Sequence, residues 1–309
     1  MRWRGRQGSS NVEDRRGSRM SGGFGLPRGG MRMPSGGASR AGFGGIGFII
    51  VIVVVSLLLG VNPMSLLEGM DGGMSPQSSG QSQSQSQGQA PAPSQNDEMA
   101  QFVSVVLADT EDTWGKVFRT EYNADYPEPR LVLFTGAIRS ACGFAQSASG
   151  PFYCPSDKKV YIDLAFYDEL RRRFQAPGDF AQAYVIAHEV GHHIQNLTGI
   201  LPKFHEIRQG LSQTKANELS VRVELQADCF AGVWAHDTAQ KGLLEEGDIE
   251  EALNAATQIG DDAIQKRTQG YVVPDAFNHG TSAQRQRWFR MGLSEGRMDA
   301  CDTFAADRL

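Results

Sequence analysis

His188 and His192 stand four residues apart with Glu189 between them, in the stretch AHEVGHH. On a helix, residues four apart share a face, so both imidazoles can offer a nitrogen to one cation. Glu189 is rotated by about 100° from His188 at 3.6 residues per turn, which suits it to take a proton from a water near the cation instead of ligating it. Two histidines flanking a carboxylate base in this way point to metal-assisted hydrolysis, and Zn2+ is the ion that such donors favour.

A catalytic zinc needs a third protein ligand and an open position. A histidine six residues beyond His192 would extend the motif, but position 198 is Thr198 and position 195 is Gln195. Glu224 is the favoured third ligand, in the string ELQAD on a second expected helix. Asp228 lies one turn further along the same face, where a carboxylate can accept the remaining ring N–H of a zinc-bound histidine and fix its tautomer. His205 and His236 are alternative ligands without a partnered acid. For the oxyanion of an acyl-transfer transition state, the candidate donor is His279 in FNHGTSAQR. The plainer reading is that Asn278 and His279 only form a capped turn. Tyr153 and Tyr161 are weaker alternatives, and His193, turned away from His192, reads as structural.

The helix carrying the histidines is expected over residues 179–197, where Ile186, Val190, Ile194 and Leu197 recur at helical spacing opposite the ligands and Gly199 supplies a stop. Further helices are expected from about residue 99, over 214–240, over 248–267 with an Asp248/Glu251 capping box, and from Thr281, with Gln284 completing a second box. RLVLFTG at 130–136 and KVYIDLAF at 159–166 read as strands of a small sheet, the latter as an edge on which an extended peptide could pair. The class is α+β, mostly helical.

Composition divides the 309 residues unevenly. Residues 1–41 hold nine arginines and abundant glycine with almost no aliphatic side chains, and are expected to be a disordered basic tail. Residues 42–61, GFGGIGFIIVIVVVSLLLGV, carry no charge over a length that spans a bilayer as one transmembrane helix. A Ser/Gln/Gly-rich flexible linker follows over 62–96, then a folded domain over 97–309. With all nine early arginines before the apolar run, the charge rule for loops puts the N-terminus in the cytoplasm and the domain outside, in the periplasm or at the cell surface. Residues 99–309 hold 29 acidic and 21 basic side chains, which argues against nucleic acid as a partner. Cys142, Cys154, Cys229 and Cys301 all fall in the part expected outside, where disulfides persist. Three pairings are open; Cys142 with Cys154 and Cys229 with Cys301 is favoured by the short loop between the first two.

HEVGH followed 32 residues after His192 by Glu224 and Asp228 resembles the gluzincin arrangement. With the apolar span, the linker, CGFAQSASGPFYCPSDKKVYID, HEVGHHIQ, ELQADCFAG and FNHGTSAQR, the chain is similar to a bacterial membrane-anchored family described as "putative neutral zinc metallopeptidase". The resemblance covers most of residues 99–309. It implies a zincin-like domain in which His188, His192 and Glu224 bind zinc, Glu189 is the base and Asp228 supports a ligand. The expected function is hydrolysis of peptide bonds in extracytoplasmic proteins. The alternative is an inactive, zinc-stabilised, membrane-tethered scaffold, which would have no need of Glu189.

Overall fold

The computed structural model describes residues 1–17, 97–147 and 150–309. The apolar run 42–61, the linker 62–96 and the tail beyond residue 17 lie outside the described residues. Among the described residues no helix is long and apolar enough to cross a membrane.

The described strands are β1 (Val12–Asp14), β2 (Arg130–Phe134), β3 (Ala137–Ser140), β4 (Gly143–Gln146), β5 (Phe152–Cys154) and β6 (Lys159–Asp163). Their helices are α1 (Glu98–Val117), α2 (Ala165–Arg172), α3 (Asp179–Leu197), α4 (Ile200–Arg208), α5 (Gln213–Gln240), α6 (Asp248–Gln258), α7 (Asp261–Gln269) and α8 (Ser282–Glu295). The expected α+β class with a majority of helix holds.

One sheet has the order β1-β2-β6-β5, with β1, β2 and β6 parallel and β5 antiparallel at the edge. Strands β2 and β6 are covered on both faces, which is why they read as continuous apolar runs. Leu131, Leu133, Val160 and Ile162 join the main core, while Val132, Phe134 and Tyr161 pack with Ile138 beneath the β3–β4 hairpin. Two expectations are corrected here. KVYIDLAF is a strand only to Asp163, whose carboxylate accepts the Ala165 N–H at 2.9 Å and turns the chain into α2. It is also interior: the edge beside it is β5.

The helix expected over 248–267 is two helices, interrupted at Ile259 and Gly260. The expected Asp248/Glu251 capping box does not form, because both carboxylates serve other elements. Asp248 holds the Met1 amino group at 3.0 Å, and Glu251 accepts the Phe180 N–H at the start of α3. The box at Thr281 and Gln284 is present as expected.

Residues 1–17 overturn the expectation of a disordered tail over that stretch. Met1, Trp3 and Val12 are buried in the main core, and β1 extends the sheet beside β2. The early arginines have partners in the domain: Arg6 bonds Asp109 at 3.1 Å, Arg4 pairs with Glu98, and Arg16 pairs with Asp14 and Asp97. Charge that looked like a topological signal is partly a folding signal. Residues 1–17 thus share a core with the domain from residue 97 onward, and the apolar run expected to cross the membrane falls between them, outside the described residues.

Asp109, fully buried on α1, joins the N-terminal arm to α5 by accepting from Arg6, Trp234, Thr238 and Lys241 at 2.7–3.1 Å. The disulfides are Cys142–Cys154, tying the hairpin to β5, and Cys229–Cys301, tying α5 to the C-terminal segment. Helices α5 and α8 approach closely through Gly232 and Gly292. A Cβ on Gly292 would lie 1.9 Å from the Cys229 carbonyl oxygen, a backbone atom that cannot move without separating the helices. Gly292→Ala is therefore expected to lower unfolding stability by about 1–3 kcal/mol or more, whereas Gly210→Ala, with no atom closer than 3.9 Å, changes it by less than about 0.5 kcal/mol. Urea denaturation of the two variants measures the difference.

Candidate metal centre

Helix α3 enters the core with its first turn held from three directions. The Asp179 carboxylate pairs with the Met1 amino group at 2.9 Å and accepts Trp3 Nε1–H at 3.1 Å, and Glu251 takes the Phe180 amide. Further along, Gly191 lets α3 lie against α5: a Cβ there would meet the Ala227 oxygen at 3.0 Å and its Cα at 3.1 Å. The glycine inside HEVGH thus brings His188 and His192 beside Glu224 and Asp228.

His188 Nε2 lies 3.3 Å from Glu224 Oε2, and His192 Nε2 lies 3.5 Å from Glu224 Oε1. Two ligands at zinc bonding distances of about 2.0–2.2 Å, separated by the tetrahedral angle, stand roughly 3.3–3.6 Å apart. The nitrogen–oxygen spacings fall in that range, and the three donor groups lie within 4.8 Å of one another. Two imidazoles and one carboxylate also match the donor set of a catalytic zinc, so the residues present fit the ion.

Both rings are fixed from behind. His188 Nδ1–H donates to Asp228 Oδ1 at 2.8 Å and His192 Nδ1–H donates to Gln195 Oε1 at 2.8 Å, so each Nε2 lone pair is left for the cation. Gln195 is held in turn by donating to the Val223 carbonyl and Gln226. Asp228 is fully buried. Burial pushes its pKa up, but Arg285 and His188 outweigh that and hold it down at about 2. The Arg285 guanidinium gives Nε–H to Oδ2 at 2.8 Å and Nη2–H to Oδ1 at 2.9 Å, and the Tyr184 hydroxyl donates to Oδ1 at 2.5 Å.

Tyr184, His188, His192, Glu224 and Arg285 line a cleft of about 550 Å³. Glu189 faces it with no hydrogen bond or ion pair among the described residues, and it is 8% exposed. His279 also reaches the cleft. Asp261 Oδ2 accepts the N–H groups of Asn278, His279 and Gly280 at 2.7–3.0 Å, and Oδ1 faces His279 Nδ1 at 3.2 Å. The turn is capped, as the plainer reading of FNHGTSAQR has it, and its His279 also lines the cleft. Burial opposes charge on His279, yet Glu224 and Asp261 outweigh it and raise its pKa.

The other candidates do not converge on the site. Tyr153 lines the cleft, but its hydroxyl donates to His193 Nδ1 at 2.9 Å, and Tyr161 donates to Asp157 at 2.7 Å. His193 donates Nε2–H to the Pro127 carbonyl and is kept neutral by burial, its pKa lowered to about 4. His236 Nδ1 binds the Leu293 carbonyl, and His205 lies on α4 outside the cleft. A second acidic grouping, Asp179, Asp248 and Glu251, is engaged by the Met1 amino group and the Phe180 amide. Gln195, Asp261 and Arg285 were missed from sequence. A hint lay in Gln195, one turn from His192; Asp261 and Arg285 are tied to the site only by tertiary contacts.

The family model described as "Putative neutral zinc metallopeptidase" matches residues 1–304. The "Uncharacterized protein YpfJ" of Escherichia coli K12 is 50% identical over 304 residues, covering 98% of this chain and 99% of its own. The "Uncharacterized protein Rv2575" of Mycobacterium tuberculosis H37Rv is 44% identical over 192 residues, covering 59% and 64%. No solved structure matches the chain.

Glu224→Ala is expected to weaken zinc binding by at least about 100-fold, and Asp228→Asn by about 10- to 100-fold. His205→Ala and His236→Ala leave it unchanged. Chelator competition on the purified chain measures all four.

Proposed function

We propose that this chain, which belongs to the family described as "Putative neutral zinc metallopeptidase", hydrolyses peptide bonds of extracytoplasmic proteins with Glu189 as general base. The observation that carries this reading is the Glu189 carboxylate, unpaired among the described residues, in the same cleft as the fixed Nε2 atoms of His188 and His192. A site that only bound zinc would have no use for it. A zincin-like core, with the paired histidines on a helix behind a sheet edge, is the finer fold reading that these contacts support.

Zinc, when held by His188, His192 and Glu224, supplies a Lewis acid and lowers the pKa of a water there. Glu189 accepts a proton from the attacking water on a carboxylate oxygen and returns it to the nitrogen of the departing amine. His279, steadied by Asp261 through Nδ1, can donate from Nε2 to the carbonyl oxygen as negative charge develops on it. Edge strand β5, with Gly150 and Pro151 leading into it along the cleft, offers main-chain groups to an extended peptide. Tyr153 anchors that strand to α3 through His193 and Asn196.

Two disulfides support an oxidising compartment for the domain. The packing of residues 1–17 into the same core supports placing that arm on the domain's side of any membrane, with no net crossing between them.

In the full chain, Glu189→Gln should bind zinc like the parent and lose about 100- to 10,000-fold in kcat against an unfolded protein. Equal cleavage by both would end the general-base reading. For sidedness, single cysteines placed at Gln7 and Glu218 should both react with a membrane-impermeant maleimide in intact cells stripped of their outer layers. Reaction at Glu218 alone restores the single crossing; reaction at neither until lysis removes the extracytoplasmic assignment.

A further inference from the structure

Arg285 is one of the most deeply buried charges in the described chain, 3% exposed, on a helix that supplies no metal ligand. Its neighbours account for its burial. Asp228 takes Arg285 Nε–H on Oδ2 and Nη2–H on Oδ1, a side-on fork, while Oδ1 also takes the Tyr184 hydroxyl and His188 Nδ1–H. The same Nη2 lies 3.2 Å from the Tyr184 oxygen.

Asp228 stands one helical turn from Glu224 on the same face of α5. It contacts the opposite side of the ring whose Nε2 faces Glu224. A carboxylate one helical turn from a metal ligand and bonded to a second one has two competing fates when a dication binds: to be drawn inward as a further ligand, or to rotate and lose its bond to the ring. Two parallel N–H bonds to one carboxylate fix its plane as well as its position, which a single ammonium donor cannot do.

Resting on the zinc reading above, we propose that Arg285 is a positioning residue, clamping Asp228 so that it orients His188 and stays off the metal, leaving a coordination position open. Arg285 acts through Asp228, not on the substrate. The guanidinium also borders the cleft, so direct contact with substrate is the competing role, and the two differ in kinetics.

The test is a double-mutant cycle in the full chain with Arg285→Gln, Asp228→Asn and the pair, reading zinc affinity by chelator competition alongside kcat and KM. Zinc affinity or kcat is expected to fall about 10- to 100-fold in each single variant, with KM within about twofold and the pair no more than about threefold worse than the poorer single. Losses that multiply in the pair, or a rise in KM with zinc affinity and kcat unchanged, overturn the proposal. Should Arg285→Gln not fold, Arg285→Lys retains the charge without the fork: a measurable loss of zinc affinity supports the clamp, and parental affinity overturns it. Zinc affinity is read without turnover, so a parent chain that cleaves nothing refutes the peptidase reading and still leaves the clamp tested.

Discussion

The close approach of three helices governs everything in the metal centre. His188 and His192 come from α3, Glu224 and Asp228 from α5, and Arg285 from α8. Side chains of ordinary length meet only if those backbones nearly touch. Gly191 against Ala227 permits the first contact, and Gly232 against Gly292 the second. The cost of glycine within a helix, about 0.5–1 kcal/mol each relative to alanine, is offset by the packing that the missing side chains allow. Moving these backbones apart by a methyl group would separate ligand from ligand and Asp228 from its clamp.

Electrostatics follow from that geometry. Buried ion pairs are poor stabilisers, because desolvation can exceed the attraction regained. The pair Arg285 and Asp228 makes better sense as a placing device, fixing a carboxylate that in turn fixes an imidazole. Asp261 does the same at the other side of the cleft, gathering three backbone amides and the His279 ring. His188 and His192 meet their acceptors through Nδ1, so Nε2 is the nitrogen presented to the cation. Glu189 differs in having no such partner among the described residues, and a base must be free to take and return a proton.

What could be read from sequence was whatever depends on local spacing. HEVGH and ELQAD announce themselves because helix periodicity alone aligns their donors, and the 179–197 helix falls where its apolar stripe places it. The capping box at Thr281 formed because nothing else claims its side chains. The look-alike at Asp248 and Glu251 did not, since the Met1 amino group and the Phe180 amide take both carboxylates. The N-terminal arm was misread for the same reason. Its arginines look like a solvated tail until Asp109, Glu98 and Asp97 are seen to meet them. Strand β5 is three residues long and became visible as the edge only through its pairing with β6.

X-ray absorption at the zinc edge of the loaded full-length chain tests the centre most directly. The account predicts nitrogen and oxygen scatterers at about 2.0–2.2 Å, about four in number, with imidazole multiple scattering from two rings. Sulfur at about 2.3 Å, or a shell without imidazole, would contradict it.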